Sequence, residues 1–251
     1  MFAKLKADLK AIKYRDPAFG SYWTAPFIYP SFQVLFVFRM ANPLWRMGLR
    51  FPARLMMQIA RILTGIEIHP GATIGPGLFV DHGMGVVIGE TAEIGRDVTL
   101  YHGVTLGGVM PAIGAEEQRC VKRHPTLADY VIVGAGAQIL GAISVGKCAR
   151  VGGNSVVTKD VAENMTVVGV PARPVPNKKA NDGFAAYAIT PETAEDFREK
   201  TIRALSAEIA ELRQQIEGQT KPKAKKRASA KTAPKKAKAK VKAKAVSVKT
   251  K

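Results

Sequence analysis

The sequence predicts a mainly β fold, a parallel β-helix, with a small helical region before it and a helix and a basic tail after it. Two observations predict the coil. Aliphatic residues recur every six positions between residues 65 and 176, and glycine follows many of them. A helix would repeat at 3.6 and a flat amphipathic strand at 2, whereas a repeat of six is typical of a parallel β-helix. The alternative, a chance run of valine and glycine in a β-sandwich, does not explain such regular spacing.

Residues 1–64 are expected to form a small N-terminal α-helical domain. They are rich in Leu, Met, Arg and aromatic residues, and stretches such as 2–13 and 44–63 suit short helices. A solenoid exposes unpaired strand edges at its ends. We therefore expect these helices to cap one end of the coil.

Residues 65–176 are expected to wind three hexapeptides into each coil, with one aliphatic side chain per hexapeptide in a narrow core. The repeat positions are Ile68, Ile74, Val80, Ile88, Ile94, Leu100, Leu106, Leu127, Val133, Ile139, Val145, Val151 and Val157. The spacing widens to eight after Val80 and to 21 after Leu106. These breaks predict a bulge at 82–85 and an excursion over about 108–125, and long excursions on repeat scaffolds usually carry function.

Residues 177–217 are expected to form a linker and a C-terminal helix that opens at Thr190 and Pro191, with proline in its first turn. Apolar residues then recur at spacings of 3, 4, 3 and 4, a short heptad seam formed by Ile202, Leu205, Ile209, Leu212 and Ile216. The seam either packs on the chain's own coil or joins identical chains in a parallel bundle.

The net charge of +18 is concentrated in residues 218–251, which contain 13 lysines, Arg227 and no acidic residue. This Lys/Ala/Pro-rich tail is expected to be disordered, because it has too few apolar groups to offset chain entropy. It has no aromatic residue, so it could neutralise phosphates without stacking on bases. The tail is therefore either a solubilising polycation or a sequence-independent contact for nucleic acid or another polyanion.

A cytoplasmic location is expected. Two cysteines in 251 residues do not suit a disulfide-stapled scaffold. The longest apolar stretch, Phe27–Phe38, is interrupted by Pro30 and is shorter than the roughly 20 residues that a membrane-spanning helix needs. The N-terminus has no apolar signal-peptide run. No membrane contact is expected.

His82 is the strongest candidate for catalysis, because it lies in the bulge and follows Asp81. Glu67 precedes it by close to one coil, so its carboxylate is expected to orient the imidazole. Neither Cys120 nor Cys148 has the setting of a covalent nucleophile. The pattern therefore predicts that His82 acts as a general base on a hydroxyl group brought by the substrate. The other histidines are His69, His102 and His124.

Several segments resemble the serine O-acetyltransferase family, over about residues 4–175. They are Arg15–Ala18, Ile66–Ala72, Asp81–Thr91, Val104–Gly108, Arg123–Pro125 and Gly169–Arg173. The resemblance implies a left-handed parallel β-helix that assembles as a homotrimer. It also implies transfer of acetyl from acetyl-CoA to the hydroxyl of L-serine, without an acyl-enzyme, as the first step of cysteine synthesis from serine.

The resemblance also assigns roles to residues. His82 matches the general base, and Glu67 stands where many members have Asp. The matches to serine-binding positions are Asp16, Asp81, Arg123 and His124. The matches to the acetyl-CoA groove are Gly107, Ala135 and Gly153. Neither a metal nor a permanently bound cofactor is expected, since acetyl-CoA is a co-substrate.

Some alternatives stay open. Homoserine or another small hydroxy amino acid could be the acceptor. A zinc carbonic anhydrase on the same scaffold would need three converging histidines. The basic tail also leaves open a nucleic-acid-binding protein with a vestigial enzyme body. The helical region is short, which disfavours a dimer of trimers, and the chain ends in Lys251 rather than the Ile with which members dock into cysteine synthase.

Overall fold

A computed structural model describes residues 1–109, 116–119, 121–175 and 197–220. The chain divides into two compact units, Met1–Thr190 and Pro191–Lys251. The helices are α1 Phe2–Arg15, α2 Ala25–Ile28, α3 Pro30–Arg46, α4 Arg50–Thr64 and α5 Phe197–Thr220. The strands are β1 Glu67–Ile68, β2 Thr73–Ile74, β3 Phe79–Val80, β4 Val87–Ile88, β5 Glu93–Ile94, β6 Thr99–Leu100, β7 Thr105–Gly107, β8 Thr126–Leu127, β9 Ile132–Val133, β10 Gln138–Leu140, β11 Ser144–Val145, β12 Arg150–Val151, β13 Val156–Val157, β14 Thr166–Val168 and β15 Arg173–Val175.

The strands form three parallel sheets, as the hexapeptide repeat predicts. Sheet A contains β1, β4, β7, β10 and β13, sheet B contains β2, β5, β8 and β11, and sheet C contains β3, β6, β9, β12 and β14. From β1 to β13, successive strands of the chain visit A, B and C in turn, and β14 and β15 both belong to sheet C. The chain therefore turns three kinds of corner, called here A–B, B–C and C–A.

The register confirms the coil length and both predicted breaks. Val87 pairs with Thr105, which is 18 residues later and closes one coil of three hexapeptides. Glu67 pairs with Val87 at a separation of 20, because the bulge adds two residues. Thr105 pairs with Gln138 at a separation of 33, because the excursion leaves the coil between them.

Every one of the thirteen repeat aliphatics is buried, none more than 3% exposed. A second inward set that the six-residue pattern did not reveal lies two positions earlier, for example Ala72, Val98 and Ala137, each fully buried. Residues two apart on a strand point to the same side of a sheet. Each hexapeptide therefore buries a pair of side chains.

The N-terminal helices cover the open end of the coil, as expected. Their apolar residues share one continuous core with the first coils, including Leu35, Phe38 and Met57. The Arg39 guanidinium donates to the carbonyls of Ile74 and Gly75 at 2.6 Å each. These side-chain donors satisfy acceptors that the first coil, having no preceding coil, would leave unpaired. For the same reason the helices and the coil belong to a single compact unit.

Arg39 also forms a buried ion pair with Asp8, at 3.2 Å. Burial raises the pKa of Asp8, although the charge of Arg39 and the N–H of Gly77 oppose the shift. Because the pair is almost fully enclosed, removal of either partner would leave an uncompensated charge in the core.

At the other end, β15 pairs antiparallel with β14 and covers the edge of sheet C. The sequence did not predict this strand. The C-terminal helix α5 runs from Phe197 to Thr220, three residues beyond the expected boundary at 217. The expected helix start at Thr190, the linker and the tail beyond Thr220 lie outside the described residues. No helix in the described part of the chain is long and apolar enough to cross a membrane.

Candidate active site

His82 lies in the bulge at the C–A corner, between β3 and β4. Its side chain is 74% exposed, and its Nε2 lies 3.9 Å from Oδ2 of Asp81. The ring of His102, on the next coil, lies 5.8 Å away between centroids. The corner therefore presents an imidazole to solvent, with a carboxylate and a second imidazole close by.

The backbone of His82 has a φ of 59°. A side chain rarely adopts this left-handed conformation, which often marks functional strain. At the B–C corner, however, the residues Asp97, Tyr130, Cys148 and Asn164 also have positive φ. Those residues each lie three positions before a buried strand residue, a place that Gly85 takes before Ile88, so the positive φ of His82 belongs to the bulge and not to the regular turn.

Glu67 does not meet His82 as the sequence predicted. Its Oε2 lies 3.3 Å from Nε of Arg61, at the end of α4, and in the described residues no hydrogen bond or ion pair joins it to His82. The physical reason is that Arg61, at the end of α4, brings a guanidinium next to the first strand, where it attracts this carboxylate. The carboxylate nearest to His82 is that of Asp81 instead.

Asp16 lies close to the same corner as Asp81. Its Oδ2 accepts a 2.6 Å hydrogen bond from the Tyr29 hydroxyl. Burial, this hydrogen bond and the negative charges of Asp16 and Asp81 raise the pKa of Tyr29 to about 12. The charges of both carboxylates act on the Tyr29 hydroxyl, and of the two only Asp81 has a described ion-pair contact with His82.

The neighbouring Arg15 explains how Asp16 is positioned. Its guanidinium donates to the carbonyls of Gly77, Val98 and Asp97 at 2.9 to 3.1 Å. These bonds fasten the C-terminal end of α1 to the first two coils. These acceptors lie at the B–C corner, and Asp16 is the next residue, so Arg15 fixes the backbone that carries Asp16 to the coil.

Two of the three predicted acetyl-CoA positions stack at the C–A corner. The N–H of Asn154 donates to the carbonyl of Ala135 at 2.7 Å, so Gly153 lies directly over Ala135. A Cβ on Gly153 would approach that carbonyl oxygen to 3.2 Å. Gly107 lies at the far end of sheet A, beside Leu140. Ala135 and Gly153 therefore stack at the same kind of corner as His82, whereas Gly107 lies apart from them at the other end of sheet A.

Arg123 and His124 lie at the A–B corner, at the opposite ends of the strands of sheet A. Nη2 of Arg123 donates to Glu90 at 2.7 Å, and Nη1 donates to the Gln118 carbonyl at 2.9 Å. Burial alone would raise the pKa of Glu90, but the hydrogen bond from Arg123 and the nearby positive charges lower it. The guanidinium is thus held in place before any substrate binds.

His124 is buried and held by Thr91. The Thr91 hydroxyl accepts from the N–H groups of Arg123 and His124 at 3.0 and 3.1 Å. The Thr91 N–H lies 3.1 Å from Nδ1 of His124 and can only donate, so Nδ1 must accept. Neutral His124 therefore carries its proton on Nε2, and burial followed by the charge of Arg123 lowers its pKa. A side chain on Gly89 would collide with this ring.

The four histidines divide between the two corners, so no three of them converge within one copy of the chain. His69 lies near the A–B corner, packs edge-on against Trp45 at 4.8 Å and accepts from the Gly71 N–H through Nδ1. Burial lowers the pKa of His69 to about 4. In the described ranges no group of three or more His, Cys, Asp or Glu side chains could hold a metal ion.

The chain is similar to known proteins over most of its length. It is 46% identical to the serine acetyltransferase of Mycobacterium tuberculosis over 183 residues, which span 73% of this chain and 77% of that protein. It is 50% identical to the serine acetyltransferase of Helicobacter pylori over 171 residues, which span 68% of this chain and 96% of that protein. This chain belongs to the serine acetyltransferase family. No family model matches the sequence.

Solved structures of serine acetyltransferases agree with this assignment. The Neisseria gonorrhoeae enzyme in complex with serine has a TM-score of 0.64 and 39% identity, covering 69% of this chain and 68% of that one. A serine acetyltransferase in complex with CoA has a TM-score of 0.61 and 38% identity, with the same coverage. The protein is therefore an acyltransferase, as the resemblance implied.

For this serine acetyltransferase family member, sequence reasoning missed Tyr29, Glu90 and Thr91. Tyr29 has no motif of its own and becomes visible only when α1 and α3 bring it to Asp16. Glu90 and Thr91 directly follow the bulge segment, and polar residues at a coil corner could have been a signal. Most of the remaining excursion, residues 110–115 and 120, lies outside the described residues.

Proposed function

We propose that this chain transfers the acetyl group of acetyl-CoA to the hydroxyl of L-serine and releases O-acetyl-L-serine and CoA. The observation that carries the proposal is the exposed His82 with Asp81 next to it, at the corner where the small residues Ala135 and Gly153 stack on later coils. Acetyl-CoA acts as a co-substrate, and no resident cofactor takes part.

In the proposed reaction, His82 accepts the proton of the serine hydroxyl while the hydroxyl oxygen of serine attacks the thioester carbonyl carbon. The bond from carbon to sulfur then breaks, and the CoA thiolate receives the proton from the imidazolium. The carboxylate of Asp81, or Glu67 after release from Arg61, stabilises the positive charge that His82 gains. The small residues at 135 and 153 leave room for the pantetheine arm.

Serine is a zwitterion, and the proposal assigns each of its charges a partner. The carboxylate binds Arg123, whose planar guanidinium suits a carboxylate, and Nε2–H of His124 donates a further hydrogen bond. The ammonium group binds the carboxylates of Asp16 and Asp81. These two sets lie at opposite ends of the strands of sheet A, so one chain does not gather them into one site.

We infer that the site is completed between copies. In a closed three-fold ring each interface joins two different patches of the same chain. If the C–A corner of one copy faces the A–B corner of the next, a homotrimer contains three equivalent sites. The left-handed winding of the coil and a cytoplasmic location belong to the same proposal, in agreement with the family.

The direct test is release of free CoA thiol from acetyl-CoA with serine, homoserine and threonine as acceptors, using the full chain. Serine is expected to be the best acceptor by kcat/KM. A clear preference for homoserine would replace the acceptor but keep the reaction. Absence of transfer to any hydroxy amino acid, in folded protein that still binds CoA, would refute the proposal.

A further inference from the structure

The apolar side chains along one stripe of α5, called here the seam, are exposed to solvent. Ile202, Leu205, Ile209 and Leu212 are 51% to 61% exposed. They recur at alternating spacings of three and four, and Ile216 continues the same register in the sequence. Such spacing places them in one stripe along the helix, which is the pattern of a coiled-coil interface.

We propose that α5 pairs in parallel with α5 of a second copy of this chain, as a two-stranded coiled coil. The register assigns isoleucine to each a position and leucine to each d position. Isoleucine at a with leucine at d favours two strands, whereas isoleucine at both, or leucine at a with isoleucine at d, favours three or four. The seam therefore selects one partner helix.

The charges beside the seam select a parallel partner. Glu208 occupies a g position, and Arg213 occupies the e position of the following heptad. In a parallel pair these positions face each other across the interface, once on each side. Glu208 has no basic residue three or four positions away on its own helix, so its charge has no standard intrahelical partner. An antiparallel pair would place like positions near each other.

This pairing has a consequence for assembly. This consequence rests on the trimer proposed above: a trimer carries three copies of α5, and helices that pair in twos cannot all be satisfied within it, so α5 would join trimers where the short N-terminal region would not. The pairs then join trimers to each other, two trimers being the smallest closed set. The seam spans only about two heptads, so an isolated pair would be weak. Several pairs acting together between the same two bodies would strengthen each other.

The test measures particle mass by light scattering on the full chain over a concentration series. Ile209→Asp places a charge in the seam and is expected to halve the mass. Ala207→Asp, at an f position facing away from the seam, is the matched control and is expected to keep it. Acetyl transfer serves as the check that the body is folded in every variant. An unchanged mass for Ile209→Asp would overturn the proposal, whether because α5 packs on its own chain or because three helices join within one trimer.

Orientation is tested by charge reversal and by cross-linking. Glu208→Arg faces Arg213 with a like charge and is expected to weaken the paired assembly roughly tenfold. The double variant Glu208→Arg/Arg213→Glu is expected to restore it, and failure to restore it would refute the parallel register. Leu212→Cys should form a disulfide-linked dimer on mild oxidation, whereas Gln214→Cys, at an f position, and the unaltered chain should not. Equal cross-linking of both cysteine variants would also count against the parallel pairing of α5.

Discussion

The two corners that flank sheet A differ in how their functional groups are held. At the C–A corner, His82 is 74% exposed, and the carboxylate of Asp81 lies 3.9 Å from its Nε2. At the A–B corner, His124 is buried, and the Thr91 hydroxyl and N–H fix its ring and backbone. The groups proposed to bind the serine carboxylate are therefore held in place before serine binds, whereas the surroundings of His82, the proposed base, change when the substrates bind next to it.

The two corners differ because one is formed by a bulge and the other by the returning end of the excursion. The bulge adds two residues without a strand partner, so the side chain of His82 points away from the coil. The A–B corner receives the returning end of the excursion, whose backbone N–H groups need acceptors. Thr91 supplies one, and Glu90 neutralises the arginine that arrives with it. The re-entering loop therefore makes more hydrogen bonds to the coil than the bulge side chain of His82 does.

The largest effect is expected from removing the exposed base. His82→Ala should lower kcat by about 10²- to 10⁴-fold, the usual contribution of a general base, while acetyl-CoA still binds. Steady-state kinetics and a CoA-binding measurement check this together. His102→Ala, at the same corner, is the matched control with a much smaller expected loss. Comparable losses in the two variants would show that the corner, rather than His82, carries the effect.

The next effect concerns the organised corner. Arg123→Lys keeps the charge but loses the planar fork, so the KM for serine should rise about 10- to 100-fold, in line with a charge-assisted hydrogen bond. The KM for acetyl-CoA should change little. Equal increases in both would mean that Arg123 holds the excursion rather than the substrate.

A smaller effect is expected in the pH dependence of stability at the A–B corner. The pKa of His69 is lowered from 6.5 to about 4 in the folded state, so the unfolded chain binds the extra proton first. The contribution of neutral His69 to the free energy of unfolding is therefore complete above pH 6.5 and is lost as the pH falls toward 4. The loss amounts to about 2 kcal/mol at pH 4.5. Urea unfolding at pH 7 and 4.5 measures it. His69→Asn should lose less stability over this interval than the unaltered chain, and an equal loss would exclude His69 as the source.

An effect of similar size tests the threonine that organises His124. Thr91→Val removes the hydroxyl and leaves two backbone N–H groups unsatisfied, so unfolding free energy should fall by about 1–3 kcal/mol. Without the hydroxyl, the pKa of His124 should change and move the pH profile of the serine KM. Thr91→Ser should restore both. Stability loss with an unchanged pH profile would limit Thr91 to a structural role.

Much of the fold could be predicted because the six-residue repeat is local. Ile68 and Val157 lie at the two ends of the register, and both are buried as expected. The positions of His82 in a bulge and of Arg123 at the end of an excursion also followed from spacing. The partner of Glu67 did not, because Arg61 comes from α4, whose packing on the first strand has no signature in the repeat.

The sequence by itself determined the coil, the two breaks in it and the family, since each depends on residue types at fixed spacing. Only the tertiary structure decided which side chains meet at each corner. It divided the predicted serine-binding residues into two groups, with Asp16 and Asp81 at one end of sheet A and Arg123 and His124 at the other. The physical reason is that spacing along the chain sets which coil a residue occupies. Contacts across a corner depend on helices and loops that arrive from distant parts of the sequence.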